Sequence, residues 1–467
     1  MKLQVTKGMM LGILILLLAN GCRKREVAGA ENLVNFETTA QGIAASENSI
    51  TIKIKLIQST DRNIPVTLNL TETGMVYGTD YTTTPAAVTG KLELVIPQGN
   101  NEAAFTISKV AGVLYDGDEN IRFDIYSSGA PVFIGAKKQL NVNFGELVAT
   151  NVASTINGGG ATYGNKVFID LSANRQTPVL RSNWDLGFYT GTDDYRVILN
   201  SSSAMMAKQI AKNDLAQVTA ADTIGFSTDV AFSQFAPTTA SLPYIDYPNG
   251  DLARTAIASI SAIAADNKVY IVNRGAGVGV SPPARGWKKI RITRNAGGGY
   301  TLQYADIGAT TFSSIDIAKD DAYFFKYISF ENAVVPVEPA KKKWDIAWTY
   351  FSNVTNFGTG EVPYLFQDIV LLNRNVQVAK VMVAAKAFAD FGEPDIATQA
   401  FSASQIAIGA DWRSGGGPSS QPSVRTDRYY IIKDGDNNYY KLRFTALTQN
   451  GERGYPAYEI VLVKRGG

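Results

Sequence analysis

The sequence contains no histidine and a single cysteine among 467 residues. Without imidazole there can be no Ser-His-Asp or Cys-His catalysis, no histidine-held zinc or copper, and no histidine ligation of haem. The lone Cys22 excludes an intrachain disulfide, a thiolate zinc site and an iron–sulfur cluster. These absences remove many classes of enzyme before any motif is considered.

Charge is also scarce. Only 18% of the residues are charged, and 44 Lys and Arg against 42 Asp and Glu leave a net charge of +2. This balance offers no long-range attraction to a polyanion, so we predict no nucleic-acid partner. Glycine and aromatic residues are abundant instead, with 42 Gly, 22 Tyr and 21 Phe. This composition favours strands joined by turns, and it predicts a mostly β fold.

The amino terminus has the pattern of a lipoprotein signal peptide. Lys2 and Lys7 precede an apolar run at residues 9–19, and Cys22 follows shortly after. The run is about half the roughly 20 residues that a membrane-spanning helix needs. We therefore predict a signal peptide at residues 1–22, lipidation of Cys22 and a linker at 23–33. The basic residues that follow Cys22 favour outer-membrane attachment on the periplasmic face over the cell surface, which remains the alternative.

Residues 34–145 alternate polar and apolar side chains in short segments separated by turn formers. The clearest example is Ser49–Leu56, which alternates over eight positions, the period of a half-buried strand. The same pattern returns at 66–70, 92–96, 104–107 and 121–125. Strands at this spacing predict an antiparallel β-sandwich.

This segment resembles the Calx-beta family. The resemblance rests on Gly78-Thr79-Asp80-Tyr81-Thr82 with Pro85, on Ile96-Pro97-Gln98-Gly99, and on Asp116-Gly117-Asp118-Glu119. It implies a sandwich with a calcium site at one end, since clustered carboxylate oxygens are what Ca²⁺ prefers. The candidate ligands by position are Glu47, Asp80, Asp116, Asp118 and Glu119. The alternative is that these acids occupy solvated turns and that the sandwich is a spacer without metal.

Residues 146–467 contain an internal repeat. Trp184-Asp185 lies in a segment that returns around Trp344-Asp345, and residues 165–169 are echoed at 267–271. Two strand–Trp-Asp–strand units predict a duplicated sheet. Apolar residues at helical intervals predict minor helix, and a turn rich in Asp and Asn predicts a hairpin near the end of the chain. The segments concerned are 203–218 and 397–407 for helix, and 429–433 with 439–444 for the hairpin.

Most of residues 150–467 resembles the HmuY family of bacterial haem-binding lipoproteins. The matching segments are 165–171, 184–188, 196–200, 344–348, 430–444 and Gly454-Tyr455-Pro456. The resemblance implies a larger, mostly antiparallel β domain at 146–467. It also implies that this domain takes up haem from host proteins and delivers it to a TonB-dependent outer-membrane receptor.

The founding type of HmuY protein holds haem iron between two histidines, which this chain lacks. Methionine is a recognised haem ligand, so the candidates after the first domain are Met205, Met206 and Met382. Aromatic side chains supply most of the burial energy of a porphyrin, and the candidates for lining the cleft are Tyr189, Tyr195, Trp348 and Tyr350.

Two alternatives stand beside haem transport. One is a family member that binds another hydrophobic molecule or a surface protein, and the other is an adhesive or structural lipoprotein. An enzyme is not expected. The paired acids Asp193-Asp194 are adjacent, so in a strand their side chains point to opposite faces. Residues 157–160 are glycine-rich but lack the Lys-Ser/Thr of a phosphate-binding loop.

Overall fold

The protein is described here by a computed structural model, which covers residues 31–44, 46–111, 119–145, 152–172, 174–232, 236–416 and 420–466. The chain divides into two compact units. The first contains most of residues 31–141, and the second contains residues of 40–47, residue 119 and those from 142 onward. The predicted signal peptide at 1–22 lies outside the described residues. The four predicted segments, 1–22, 23–33, 34–145 and 146–467, stay a prediction.

Ten strands lie in the described residues before position 146. They are β1 (Leu33–Phe36), β2 (Ala40–Ile43), β3 (Ser49–Leu56), β4 (Ile64–Thr73), β5 (Tyr81–Thr84), β6 (Lys91–Ile96), β7 (Glu102–Lys109), β8 (Asn120–Ser128), β9 (Phe133–Ile134) and β10 (Gln139–Phe144). They form two five-stranded sheets, ordered β5-β7-β3-β1-β9 and β2-β10-β8-β4-β6.

The alternation read from the sequence is the burial pattern of these strands. In β3 the apolar side chains Ile50, Ile52, Ile54 and Leu56 are buried, while the residues between them are exposed or half-buried. β6 alternates strictly in the same way. Apolar side chains directed to one face form the core of this unit, so the predicted β-sandwich strands are confirmed.

Twenty further strands follow in the second unit. They are β11 (Val152–Thr155), β12 (Asn165–Asp170), β13 (Arg175–Leu180), β14 (Leu186–Tyr189), β15 (Val197–Leu199), β16 (Met206–Gln209), β17 (Tyr270–Asn273), β18 (Trp287–Arg294), β19 (Tyr300–Asp306), β20 (Ser313–Ile317), β21 (Phe325–Ser329), β22 (Ala333–Val335), β23 (Ile346–Asn356), β24 (Glu361–Leu372), β25 (Gln377–Met382), β26 (Arg413–Ser414), β27 (Ser423–Val424), β28 (Arg428–Lys433), β29 (Tyr439–Ala446) and β30 (Ala457–Lys464).

These strands form antiparallel sheets. Two have five strands, ordered β11-β30-β29-β28-β25 and β16-β17-β18-β19-β20, and two have four, ordered β13-β12-β23-β24 and β15-β14-β21-β22. β26 and β27 pair separately. The predicted mostly β, mostly antiparallel fold is confirmed.

Helix is limited to short turns in the described residues. The one α-helix is α1 (Phe226–Asp229), and the 3₁₀ turns are Gly160–Thr162, Ser201–Ser203, Leu215–Gln217, Ala220–Thr223, Thr239–Tyr244, Leu252–Arg254, Ala264–Asp266 and Glu393–Thr398. The minor-helix prediction is confirmed, and the turn Leu215–Gln217 lies within the predicted segment 203–218, but most of 203–218 and of 397–407 is not helical. Residues 206–209 instead pair with β17, so sheet pairing overrides a local helical pattern there.

The predicted hairpin near the end of the chain is confirmed. β28 pairs with β29, and the turn between them is organised by the side chain of Asp434. Its Oδ1 accepts the backbone N–H groups of Asp436 and Asn438 at 2.9 and 2.7 Å. Asn437 adopts a φ of 65°, a left-handed conformation that Asn tolerates better than most residues.

Candidate functional site

The two Trp-Asp segments form the same structure in two four-stranded sheets. β14 follows Asp185 and lies between β15 and β21, whereas β23 follows Asp345 and lies between β24 and β12. The strands are exchanged between the copies. β12 precedes Trp184 in the chain but pairs with β23, and β21 precedes Trp344 but pairs with β14. The predicted duplication is thereby confirmed. The sheet of each Trp-Asp segment contains a strand that precedes the other Trp-Asp segment in the chain.

The equivalence extends to single hydrogen bonds. The Asp185 N–H donates to the Ile328 carbonyl at 2.7 Å, and the Phe330 N–H donates to the Asp185 carboxylate at 2.9 Å. In the other copy the Asp345 N–H donates to Ile169, and the Leu171 N–H donates to the Asp345 carboxylate, both at 2.8 Å. The sequence echo at 267–271 is not part of this duplication, because β17 lies in a different sheet. The structural counterpart of β12 is β21.

Aromatic packing follows the same exchange. The Trp184 ring meets Tyr327 of β21 edge-on at 4.7 Å between centroids, and the Trp344 ring meets Phe168 of β12 in the same way at 5.0 Å. All four side chains belong to one buried cluster, so the two copies share a core. This core is the floor of a pocket.

The pocket has an empty volume of about 740 Å³, including the space at its mouth, and it lies between the two repeats. Both copies contribute to it: Ile198 and Leu199 of β15 correspond in register to Leu371 and Leu372 of β24. Its aromatic lining is Trp184, Tyr247, Phe324, Phe325, Tyr327, Trp344 and Phe351. Its charged lining is Lys166, Asp246, Asp251, Glu338 and Arg374. A concave, mostly apolar site with a few polar groups is the usual form of a small-molecule pocket.

Glu338 is the most fully bonded charged group in the pocket. Its Oε1 accepts the Phe324 and Phe325 N–H groups at 3.1 and 2.8 Å, and its Oε2 accepts the Tyr327 hydroxyl at 3.0 Å. Burial nevertheless raises the pKa of Glu338 to about 7. Burial, and then the neighbouring Glu338, raise the pKa of Tyr327 well above its ordinary value.

Two cations face this carboxyl. Burial lowers the pKa of Lys166 to about 8, although the charge of Glu338 opposes the shift. Burial also lowers the pKa of the Arg374 guanidinium. Arg374 lies over the Phe325 ring at 5.3 Å, and its Nη2 donates to the Gly250 carbonyl at 2.8 Å. The pocket therefore holds two cations, Lys166 and Arg374, beside the three carboxyl groups of Asp246, Asp251 and Glu338.

Asp246 lies in another wall of the pocket. Its two carboxylate oxygens accept the N–H groups of Leu199 and Ala256 at 2.6 and 3.0 Å. Burial raises the pKa of Asp246 to about 7, against the effect of these two backbone donors. The side chain ties β15 to the loop at 246–256, which forms part of the pocket rim.

The predicted haem ligands lie apart from this pocket. Met205 is 1% exposed and packs in the core with Leu186 and Phe188, where Arg285 Nη1 lies 3.8 Å from its sulfur. Met206 is fully buried in a different cluster. Met382 ends β25 and is 37% exposed. No two of these thioethers belong to one core cluster, and none lines the pocket. Their role in haem ligation stays a prediction.

The four aromatic candidates fall into three regions, and only Trp348 and Tyr350 share one. Trp348 is fully buried, and the Tyr163 ring stacks on it at 5.7 Å and on Tyr350 at 5.9 Å. Tyr195 is covered by Lys319, 3.7 Å from its ring centroid, and donates its hydroxyl to the Gly298 carbonyl. Tyr189 packs at the margin of the cluster beneath the pocket. A shared cleft lined by these four side chains stays a prediction.

The calcium candidates are only partly described. Asp116 and Asp118, like the lipidation candidate Cys22, lie outside the described residues. Asp80 Oδ2 accepts the Val76 N–H at 2.6 Å, and the Glu119 carbonyl accepts the Phe144 N–H. Glu47 belongs to the second unit, where it pairs with Arg175 at 2.5 Å. Within the described ranges, no three Asp, Glu, His or Cys side chains converge as metal ligands. Calcium binding stays a prediction.

Sequence reasoning missed the charged residues of the pocket. Lys166 and Glu338 are separated by a long stretch of chain, and Arg374 follows β24 without any recognisable motif. The available signal was the repeated Trp-Asp pair, which marks the pocket floor in both copies. The rings of these tryptophans pack in a buried cluster, whereas their indole N–H groups have no acceptor in the described chain.

The fold and the pocket define a β-rich binding domain with a duplicated sheet. The sequence profile described as HmuY protein matches residues 162–460. The chain therefore belongs to the HmuY family, which is associated with haem-type ligands and consists of exported surface proteins. No curated protein matches the chain.

Solved structures give only distant likenesses. The apo form of the Calx CBD1 domain is 15% identical, covers 25% of this chain and 97% of its own, and has a TM-score of 0.22. A two-domain protein of unknown function from Bacteroides fragilis is 10% identical. It covers 65% of this chain and 85% of its own, and has a TM-score of 0.18. A protein from Bacteroides ovatus, described as a candidate carbohydrate-binding protein, is 10% identical. It covers 93% of this chain and 98% of its own, and has a TM-score of 0.17. Such TM-scores establish no shared fold.

In the part of the chain that the structure describes, no helix is long and apolar enough to cross a bilayer.

Proposed function

We propose that the protein is a lipid-anchored outer-membrane lipoprotein that binds haem through its HmuY domain and passes it to a TonB-dependent receptor. The family match over residues 162–460 carries this proposal. The signal pattern ending at Cys22 supports the export and the anchor. The proposed activity is binding, not catalysis.

Met382 is the candidate axial ligand that needs the least rearrangement. It is the most exposed of the three methionines, and the adjacent Val383 is 38% exposed, so the end of β25 offers an apolar surface. Arg428 lies opposite Met382 in the sheet, where a haem propionate would find a guanidinium. That guanidinium already pairs with Asp411 and Asp427, so a propionate must compete with two carboxylates.

A visible-absorption titration with haemin, oxidised and reduced, tests the proposal. We expect a saturable Soret shift that Met382→Ala abolishes. Met205→Leu and Met206→Leu are the matched controls, because both residues are buried and a leucine of similar volume preserves their packing. A shift lost only in a control would assign the ligand to the buried pair, and a titration indistinguishable from free haemin would refute haem binding.

A second candidate is a family member with another ligand, acting as a surface-binding, adhesive or structural lipoprotein. The burial of Met205 and Met206 in two packed cores favours it, because presenting either sulfur to haem requires opening a core. A haemin titration without a Soret shift, in a protein that still unfolds cooperatively, supports this candidate.

The anchor has its own test. Metabolic labelling with a radioactive fatty acid, followed by membrane fractionation, is expected to label the wild type and not Cys22→Ser. An unlabelled wild type in the soluble fraction would contradict the lipoprotein proposal. Protease treatment of intact cells then separates the periplasmic orientation from the surface orientation.

A further inference from the structure

The floor of the pocket contains two indole groups without a hydrogen-bond acceptor. Trp184 is 3% exposed and Trp344 is 7% exposed, and both line the pocket. Neither Nε1–H has an acceptor among the described residues. A buried N–H without a partner costs free energy, and nearly all such groups in folded proteins are satisfied by protein, water or ligand.

The backbone at the two tryptophans is held in the same way in both repeats. The Trp184 carbonyl accepts the Asn200 side-chain amide, and the Trp344 carbonyl accepts that of Asn373, both at 2.8 Å. The edge-on contacts with Tyr327 and Phe168 fix the orientation of each ring. The same arrangement occurs in both repeats, so the two unpaired donors belong to one duplicated feature.

Two further donors line the same pocket. Arg374 Nε is buried without an acceptor in the described chain. Lys166 Nζ lies over the Phe168 ring at 4.9 Å. The acceptors nearby are engaged: Glu338 accepts three donors, and Asp246 accepts two backbone N–H groups. Asp251 at the rim accepts the Ala253 N–H. The pocket thus combines aromatic walls with four donors, two of them cationic.

We propose that this pocket binds a small organic carboxylate, with the carboxylate oxygens accepting from Trp184, Trp344, Lys166 and Arg374 and the apolar body of the ligand against the aromatic walls. A carboxylate supplies up to four acceptor positions, and the indole N–H groups of Trp184 and Trp344 and the Arg374 Nε–H are buried donors without an acceptor in the described chain. The proposal does not rest on haem binding, since none of the three candidate methionines lines the pocket.

Indole resonances report directly on this site. The full chain has five tryptophans, so its ¹H–¹⁵N spectrum contains five indole signals, and Trp184→Phe and Trp344→Phe assign two of them. The probe is benzoate, and benzylamine is the comparison because it places a cation on the same ring. We expect benzoate to move both assigned signals downfield, saturably, and benzylamine to leave them in place.

Variants test the contribution of each donor. Lys166→Gln and Arg374→Gln are each expected to weaken benzoate binding about tenfold, the loss of one charge-assisted hydrogen bond. Trp287→Phe is the matched control, because Trp287 is half-buried outside the pocket; its benzoate affinity should equal that of the wild type. Lys166→Gln keeps the aromatic core intact, so it remains informative if a tryptophan variant fails to fold.

Three results would overturn the proposal. They are indole signals that benzoate does not move at tens of millimolar, equal shifts with benzoate and benzylamine, and a Lys166→Gln variant with unchanged affinity. The first would mean that water satisfies the indoles, and the second that the pocket accepts any aromatic ring. None depends on haemin, so this proposal and the haem proposal fail independently.

Discussion

Asn200 and Asn373 make the same pair of hydrogen bonds in the two repeats. Asn200 Nδ2 donates to the carbonyls of Arg181 and Trp184, both at 2.8 Å, and Asn373 Nδ2 donates to those of Lys341 and Trp344 at 2.7 and 2.8 Å. Each amide closes the turn before a Trp-Asp strand. Both side chains are almost completely buried.

Replacing either asparagine is therefore expected to destabilise the domain to a similar extent. Each variant leaves one carbonyl without a donor, that of Arg181 in Asn200→Ala and that of Trp344 in Asn373→Ala, because Arg285 still donates to the Trp184 carbonyl and Asn375 to the Lys341 carbonyl, both at 3.1 Å. Each should lower the free energy of unfolding by about 1–3 kcal/mol. Urea denaturation measures the change. Asn213→Ala is the control, because its amide makes one exposed hydrogen bond to the Ala265 carbonyl, and its cost should stay below about 1 kcal/mol. A large effect in only one repeat would contradict the equivalence.

The aspartates of the two repeats should respond differently to neutralisation. Asp185 is fully buried between Arg274 and Arg285, with N···O distances of 2.9 and 2.8 Å. In the described chain no Lys or Arg pairs with Asp345, and burial, and then the neighbouring Asp170, raise the pKa of Asp345 well above its ordinary value. Asp185→Asn removes the carboxylate charge beside Arg285 and leaves Arg274 paired with Glu331 alone, and it should cost about 3–5 kcal/mol. Asp345→Asn keeps the acceptor for the Leu171 N–H and should cost less than about 1 kcal/mol at neutral pH.

Thermal or urea unfolding of these two variants at the same pH measures the two losses of stability. Asp185→Asn is the test and Asp345→Asn its matched control, since the same atom is changed in equivalent positions. Equal losses would show that the difference in charge environment has no energetic consequence.

The buried carboxyls of the pocket predict a pH dependence of stability. Glu338 and Asp246 both have a pKa of about 7 in the folded protein, above their ordinary values of 4.5 and 3.8. The folded state holds these protons more tightly than the unfolded state. The stabilisation is therefore complete below the ordinary values and is lost as the pH rises towards 7. Burial is the main cause of the raised pKa of Glu338, and the Phe325 N–H, the Tyr327 hydroxyl and the charge of Lys166 oppose it.

Glu338→Gln should flatten this profile, because the amide does not titrate. Urea unfolding at about pH 5 and about pH 7.5 is expected to show a difference for the wild type on the order of 1–3 kcal/mol larger than for the variant. Glu93→Gln, at an exposed position of the other unit, is the control. A variant profile as steep as that of the wild type would be inconsistent with a buried, proton-binding Glu338.

The turn of the final hairpin depends on one carboxylate. Asp434 accepts two backbone N–H groups and the Asn438 side-chain amide, the last at 2.7 Å. Asp434→Ala should lower the free energy of unfolding by about 1–3 kcal/mol, because these donors lose their acceptor. Asp434→Asn, which retains one acceptor oxygen, should recover part of the loss. Identical losses in the two variants would point to the charge and not to the hydrogen bonds.

Local patterns predicted the strands well. Ser49–Leu56 alternates in the sequence and in its burial, because side chains of a strand point to opposite faces in turn. The hairpin of β28 and β29 was recognisable from the Asp and Asn residues of its turn, whose side chains bond their own backbone. Residues 203–218 misled the same reasoning, since pairing with β17 outweighed their helical spacing.

The candidate site was predictable only in its tryptophans. The repeated Trp184-Asp185 and Trp344-Asp345 marked a duplication, but the echo at 267–271 pointed to the wrong strand. Lys166, Glu338 and Arg374 had no local signal, because what brings them together is pairing between strands far apart in the chain.

The sequence by itself determined the β class, the duplicated Trp-Asp unit and the lack of histidine ligands. These features depend on composition and short-range periodicity, which need no knowledge of pairing partners. Only the tertiary structure decided that β12 and β21 exchange places, that Met205 and Met206 are buried, and that four donors meet in one pocket. Those outcomes follow from long-range strand pairing and side-chain packing, in which each position depends on residues distant in the chain.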